Sequence, residues 1–142
     1  MKVYFSCSLT GGRNDEAIYG ALVDHLQSAG HEVLTAHLAR PEVMRAERVV
    51  DPGEVYHRDI AWIGECRVLV AEVSTPSHGV GYEIAYALGR GKPVLCLYRR
   101  DARISKMITG NDSPTLRLAT YTTREEAVAL VDSYLRDVDR RP

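Results

Sequence analysis

Val68-Leu69-Val70-Ala71-Glu72-Val73 is apolar but for one residue, and Ser74-Thr75-Pro76-Ser77-His78-Gly79-Val80-Gly81-Tyr82-Glu83 follows it directly, ahead of Ile84-Ala85-Tyr86-Ala87-Leu88. A short, nearly continuous apolar run is what a parallel strand covered on both faces requires. The polar stretch with its proline and glycines ends that strand, and the residues after it predict a helix. The first N–H groups of such a helix, at the positive end of its dipole, suit an anion, most often a phosphate. Glu83, in the first turns, is expected to face the same crevice.

Upstream, Val3-Tyr4-Phe5-Ser6 predicts a first strand, followed by the polar, glycine-bearing residues 7–13. Ala17, Ile18, Ala21, Leu22 and Leu26 recur at three- and four-residue steps, so a helix follows, with Asn14 or Asp15 at its start and Gly30 at its stop. Glu32 to Ala36 reads as strand two. Residues 38–52 read as a loop with a short helical turn, and Gly53 to Glu65 as a second helix with Val55, Ile60 and Ile63 apolar. Downstream, the helix after strand three ends near Gly89-Arg90-Gly91, and Val94 to Tyr98 is strand four. Ile104 to Ile108 predicts a brief helix, Leu116 to Tyr121 a fifth strand, and Thr122-Thr123 the cap of a last helix that begins with Glu125 and Glu126.

This alternation predicts an α/β protein: a Rossmann-like, doubly wound, five-stranded parallel sheet in the order 2-1-3-4-5, with helices on both faces, forming a single domain over residues 1–142. The strand order reverses between strands one and three, and ligands bind beyond the carboxyl ends there. One pocket lined by Tyr4, residues 7–13 and residues 74–83 is therefore expected.

Bulk properties narrow the partners. The formal net charge is -1 over 142 residues, so no global field attracts nucleic acid or an anionic membrane. No apolar run approaches the roughly 18 residues of a membrane span, and Met1 to Ser6 lacks the apolar core of a secretory leader. Cys7, Cys66 and Cys96 are odd in number and widely spaced, which fits reduced thiols rather than a disulfide frame or zinc site. A cytoplasmic protein is the expectation.

Asp59, on the helix before strand three, and Glu83, on the helix after it, form a candidate carboxylate pair. Such pairs cleave glycosidic bonds, one attacking the sugar carbon and the other donating a proton or activating water. On residues alone the pair is unspecific, because 19 acidic side chains are present and most such groups are solvated surface charge. Gly79-x-Gly81 lacks the third glycine of a dinucleotide fingerprint, and neither a Walker A motif nor HExxH occurs. The five histidines share no metal-ligand spacing. His37, just past strand two, is either a pocket residue or a plain loop histidine, and Trp62 and Tyr86 fit packing positions on helices.

Tyr4-Phe5, Ser8-Leu9, Gly11-Gly12-Arg13, Leu34-Thr35-x-His37, His57-Arg58-Asp59-x-x-Trp62, Pro76-Ser77-x-Gly79-Val80-Gly81-Tyr82-Glu83, Lys92-Pro93-Val94-Leu95-Cys96-Leu97 and Ser105-x-Met107-Ile108-x-Gly110 occur in order along the chain. This series resembles the 2'-deoxynucleoside 5'-phosphate N-hydrolases, which are similar to the nucleoside 2-deoxyribosyltransferases. The resemblance implies hydrolysis of 2'-deoxynucleoside 5'-monophosphates to free base and 2-deoxyribose 5-phosphate through a covalent glycosyl-glutamate. Glu83 would be the nucleophile, Asp59 the proton donor and later the activator of water, and Tyr4 an orienting group beside Glu83. Ser77 with its helix N-terminus would hold the 5'-phosphate. Cys7, Ser8, Leu9, Thr10, Gly11, Gly12, Arg13, His37, Gly79, Gly81 and Met107 would complete the nucleotide cleft.

Ser105 would reach the phosphate site of a neighbouring subunit, implying a homodimer. No metal or organic cofactor is implied. In this chain Thr10 stands where mammalian relatives carry arginine, and Tyr4 stands where relatives acting on ribonucleotides carry phenylalanine. The alternatives are a deoxyribosyltransferase, a ribonucleoside 5'-monophosphate N-glycosidase, and a nucleotide-binding module without turnover.

Overall fold

The computed structural model describes residues 1–9, 12 and 14–140. Five strands, β1 (Lys2–Ser6), β2 (Glu32–Val33), β3 (Val68–Glu72), β4 (Val94–Arg99) and β5 (Leu116–Tyr121), form one sheet. All pairs are parallel and the order is β2-β1-β3-β4-β5, as the alternation of elements predicts. Six α-helices connect or follow them: α1 (Glu16–Ser28), α2 (Val43–Glu47), α3 (Pro52–Glu65), α4 (His78–Gly89), α5 (Lys106–Thr109) and α6 (Arg124–Asp139), with a 3-10 turn at Ala36–Ala39.

Side chains alternate across the sheet with the two-residue period of a strand. Val3, Phe5, Val68 and Val70 pack against Tyr19, Leu22, Val23 and Leu26 of α1 and against Ala127, Val131, Tyr134 and Leu135 of α6. Tyr4, Leu69, Ala71, Val94 and Cys96 pack on the other face against Ile63 of α3 and Val80, Ile84 and Ala87 of α4. All three cysteines are buried and outside any disulfide. Among the described residues no helix is long and apolar enough to cross a membrane.

The helix ends follow from local chemistry. The Asp51 carboxylate accepts from Gly53 N at 2.9 Å and Glu54 N at 3.3 Å, with Pro52 in the first turn, so α3 begins one residue earlier than the apolar pattern suggests. Thr123 and Glu126 form a reciprocal capping box on α6, as the Thr-x-x-Glu spacing predicts. Gly30 ends the α1 turn at φ +85, a conformation that favours glycine. Asp15 precedes α1 but makes no side-chain cap; its carboxylate is used elsewhere.

Strand two is shorter than the expected Glu32 to Ala36. The backbone ladder runs to Leu34 N, which donates to Val3 O at 3.0 Å, and then a side chain replaces it. Thr35 Oγ1 accepts from Phe5 N at 2.9 Å and donates to Phe5 O at 2.6 Å. One hydroxyl thereby satisfies both backbone groups of a buried residue, and the chain is released into the 3-10 turn. Residues 34–51 can then cross over the carboxyl ends of the strands.

Thr35→Val keeps the shape and removes the hydroxyl, leaving the Phe5 N–H and C=O buried without partners. A loss of about 2–4 kcal/mol in unfolding free energy is expected, measurable by urea denaturation. A change below about 0.5 kcal/mol, the scale of an ordinary surface substitution, would contradict this account of the strand's end.

Candidate active site

β1 supplies Tyr4 and Ser6, alternate residues on one face of the strand, and α4 brings Glu83 against them. The Ser6 hydroxyl donates to the Glu83 carboxylate. The buried Tyr4 hydroxyl lies beside the same carboxylate without completing a hydrogen bond of ordinary geometry. Burial raises the Glu83 pKa to about 7; the Ser6 and Tyr4 hydroxyls oppose the rise and the nearby Asp59 charge adds to it. Burial, then the charges of Glu83 and Asp59, push the Tyr4 phenol well above its usual range, so it remains a proton donor.

Asp59 approaches from α3. Burial raises its pKa, and the adjacent Arg58 guanidinium, whose Nε donates to Asp59 Oδ1 at 2.8 Å, pulls it back down. Asp59 and Glu83 line one cavity of about 660 Å³ with Leu9, Met44, Val55 and Tyr82. Tyr56 and Tyr82 are 47% and 55% exposed, and their rings meet edge to face at 6.3 Å beside this cavity.

The loop before α4 also has the expected form. Ser77 is extended, at φ -151 and ψ 128, and its hydroxyl accepts from Val80 N at 3.4 Å as the N-cap. The N–H groups of His78 and Gly79 open the helix and have no acceptor within it. Gly79 lines the Asp59–Glu83 cavity, while Ser77 and Gly81 line a second, adjoining groove of about 890 Å³. His78 borders both. Ser105 and Met107 stand in the second groove of their own chain; Ser105 caps α5 by accepting from Met107 N at 3.2 Å, and Met107 is 84% exposed.

The remaining cleft candidates divide. Thr10, Gly11 and Arg13 lie outside the described residues. Gly12, at φ +115, places its backbone where a Cβ would meet Thr75 Cγ2 at 3.7 Å, so the loops after β1 and β3 do come side by side. Ser8 is fully buried, lines neither cavity, and has no hydrogen-bond partner for its hydroxyl among the described residues. Cys7 belongs to the core, with its Sγ 3.7 Å from Leu38 O. His37 is engaged with protein groups: Nε2 lies 3.3 Å from Glu47 Oε1, and the ring meets Trp62 edge to face at 5.7 Å.

Two further carboxylates are buried nearby but do not face the cavity. Glu72 is fully buried and accepts from the Ser74 hydroxyl and from Tyr121 Oη, the latter at 3.0 Å. Asp15 accepts from Thr75 Oγ1 at 3.2 Å and pairs with Arg99. Both tie down the loop that carries Ser77.

Sequence reading missed Ser6, Arg58 and Glu47. Ser6 could have been found, because it shares a strand face with Tyr4. Glu47 could not, because its place depends on how residues 34–51 fold back.

The fold and the site together define a doubly wound α/β protein with a carboxylate-paired cleft at its switch point. A sequence profile described as nucleoside 2-deoxyribosyltransferase matches residues 3–126, and the chain belongs to that family. A Thermofilum pendens relative with the provisional name 2'-deoxynucleoside 5'-phosphate N-hydrolase 1 is 44% identical over 95% of each chain. The mouse 5-hydroxymethyl-dUMP N-hydrolase is 45% identical over 76% of this chain and 64% of its own. Among solved structures, a Clostridium botulinum CMP N-glycosidase superposes with a TM-score of 0.72 at 20% identity, over 94% of this chain and 99% of its own; that likeness concerns the fold.

The raised Glu83 pKa has a consequence for stability. The folded state holds this proton up to about pH 7, whereas the ordinary value is 4.5. A raised carboxyl pKa costs stability as pH climbs between those two values, and the full cost persists above the folded one. Glu83→Gln should therefore be more stable than the wild type at pH 8.5, by on the order of 2 kcal/mol, with the gap shrinking toward pH 5. Chemical denaturation at both pH values checks this; a gap that fails to narrow contradicts the assignment.

Proposed function

We propose that this chain hydrolyses the N-glycosidic bond of 2'-deoxynucleoside 5'-monophosphates, giving free base and 2-deoxyribose 5-phosphate. The observation that carries the reading is the pairing of Glu83 and Asp59 in one cavity, in a family member that matches relatives named as N-hydrolases along most of its length. The chain is an N-glycosidase.

In the first step a Glu83 carboxylate oxygen bonds to C1' as the bond from C1' to the base nitrogen breaks, and Asp59 gives its proton to the departing base. In the second, the Asp59 carboxylate takes a proton from water, the water oxygen bonds to C1', and the Glu83 ester bond breaks. Burial suits both groups. It raises the Asp59 pKa, which favours the protonated form an acid needs, and Glu83, at about 7, is partly ionised near neutrality as a nucleophile must be. The transition state resembles an oxocarbenium ion, and a 2'-deoxyribose forms it more readily because it lacks the electron-withdrawing 2'-hydroxyl. Positioning and charge stabilisation then supply most of the catalysis.

Ser77 and the first N–H groups of α4 seat the 5'-phosphate, which supports the hydrolase over the transferase reading, since transferases take unphosphorylated nucleosides. Remote phosphate binding contributes to orienting the sugar over Glu83. Tyr4 keeps Glu83 aimed and favours the deoxy sugar.

The functional unit is a homodimer. The groove beside α4 is lined by Val80, Ile84, Ile104 and Ile108 with Met107 standing exposed at its edge, an apolar surface suited to a second copy that brings its own Ser105 toward Ser77.

Chromatography of a panel of deoxy- and ribonucleoside monophosphates, with and without added free base, tests the reaction. Base plus sugar phosphate, with deoxynucleotides preferred, is expected; base exchange would indicate a transferase, and absence of turnover a binding module. Glu83→Ala should lower turnover by at least about 1,000-fold while nucleotide binding persists. Mixing Ser105→Ala and Glu83→Ala chains tests the shared site. Random dimerisation would restore about a quarter of the wild-type sites, whereas Ser105 acting within its own chain restores none.

A further inference from the structure

Asp59 is held by more than its own helix. The Arg58 guanidinium turns back onto it through Nε and is itself fixed at its far end, where Nη1 donates to Glu47 Oε1 at 3.0 Å and Nη2 reaches Oε2 at 3.5 Å. Its face lies 5.0 Å from the centre of the Trp62 ring. Glu47, the last residue of α2, is 15% exposed and also takes His37 Nε2. His37 in turn packs its edge on Trp62. An uninterrupted line of contacts therefore runs His37–Glu47–Arg58–Asp59, with the indole as its platform.

The arrangement is not a property of α3 alone. Successive residues of a helix point about 100° apart and do not face one another, so Arg58 reaches Asp59 only by bending its side chain along the helix surface. A flexible arginine loses rotamer freedom in doing so. The two-oxygen contact with Glu47 and the seat on Trp62 hold it there. Glu47 belongs to the segment between β2 and α3, and that segment also supplies Met44, Arg48 and Val50 to the cavity wall. Its attachment to the core comes from buried Leu38, Ala39 and Val43.

We propose that Arg58 and Glu47 are positioning residues for Asp59, aiming its carboxyl into the cavity only while α2 is seated against α3. The proposal rests on the hydrolase reading given above. Arg58 ties Oδ1 and leaves Oδ2 to meet the departing base and then the water. An arginine alone would also hold Asp59 ionised and weaken it as an acid. Glu47 cancels much of that positive charge, so the carboxyl is oriented at little cost to its proton affinity. Among the described residues, the other charged or titratable groups around Asp59 are Glu83 from α4, Tyr4 from β1 and His37 from the 3-10 turn, with Arg48, Tyr56, His78 and Tyr82 lining the same cavity.

The test compares Arg58→Gln, Arg58→Lys, Glu47→Gln and Asp59→Asn with the wild type. Base release from a deoxynucleoside monophosphate is followed from pH 5 to 9, with kcat and KM separated. Arg58→Gln and Glu47→Gln should each lose about tenfold or more in kcat, part of what general acid–base catalysis supplies, while KM changes less than about threefold.

The limb of the kcat profile that Asp59 sets, the alkaline one where proton donation limits kcat and the acid one where water activation does, should move in opposite directions in these two variants. It moves to higher pH without the guanidinium, which favours the Asp59 anion, and to lower pH without the Glu47 carboxylate, which disfavours it. Arg58→Lys keeps the charge without the fork, so it should restore the limb but not the full kcat. A merely structural pair would lower the melting temperature and leave both limbs in place.

Should Arg58→Gln fail to fold, Glu47→Gln and Arg58→Lys carry the same comparison. Variants of Arg58 and Glu47 with kcat within twofold of wild type and unmoved limbs, alongside an inactive Asp59→Asn, overturn this proposal alone. A wild-type chain that releases no base from any nucleotide overturns the hydrolase reading and this one with it.

Discussion

The hydrogen bond from Ser6 to Glu83 joins the first strand to the helix after the third, and the cleft depends on that junction. A carboxylate placed under the ends of a parallel sheet loses most of its water, and an unpartnered one would simply keep its proton. Here the hydroxyls of Ser6 and Tyr4 return part of the lost solvation, which sets the group near neutrality instead of far above it. The strand order makes this possible. Only where neighbouring strands send their connections to opposite sides does a gap open beyond the sheet, and β1 and β3 flank that gap.

Glu72, Asp15, Glu83 and Asp59 all lie near the carboxyl ends of the strands, and burial alone does not say what each does. Glu72 is enclosed by donors from Ser74 and Tyr121, and Arg99 N donates to the same Ser74 hydroxyl at 2.8 Å. Asp15 is occupied by Thr75 and Arg99. These two have their hydrogen-bonding capacity spent on the loop they hold. Glu83 and Asp59 each have an anchor on one side and the open cavity on the other. A carboxylate held in place but incompletely satisfied is the form a reaction can use.

The sheet order, the capping box at Thr123 and the meeting of the loops after β1 and β3 were all legible in the sequence, because each rests on local pattern or on a topological rule. Strand two was misjudged in length: the apolar run continues past Val33, but Thr35 spends its hydroxyl on Phe5, and no propensity scale contains that choice. Glu83 and Asp59 were a candidate pair from their places on the helices flanking strand three, the family resemblance implied their roles, and burial supplies what residues alone lacked, a reason to distinguish them from other acids. His37 is engaged by Glu47, which reaches it from a segment whose path the sequence does not encode locally.

The substitution of one threonine for a stretch of ladder also limits what the edge of the sheet offers to another strand. β2 forms one edge of the sheet and is only two residues long, Glu32–Val33, so it offers little backbone for another strand to pair with. The opposite edge, β5, extends over six residues from Leu116 to Tyr121. Its Arg117, ion-paired with Asp137 at 3.0 Å, puts charge on that border, a common guard against unwanted strand pairing. Edge-to-edge strand pairing is thus closed off on one side by brevity and resisted on the other by charge.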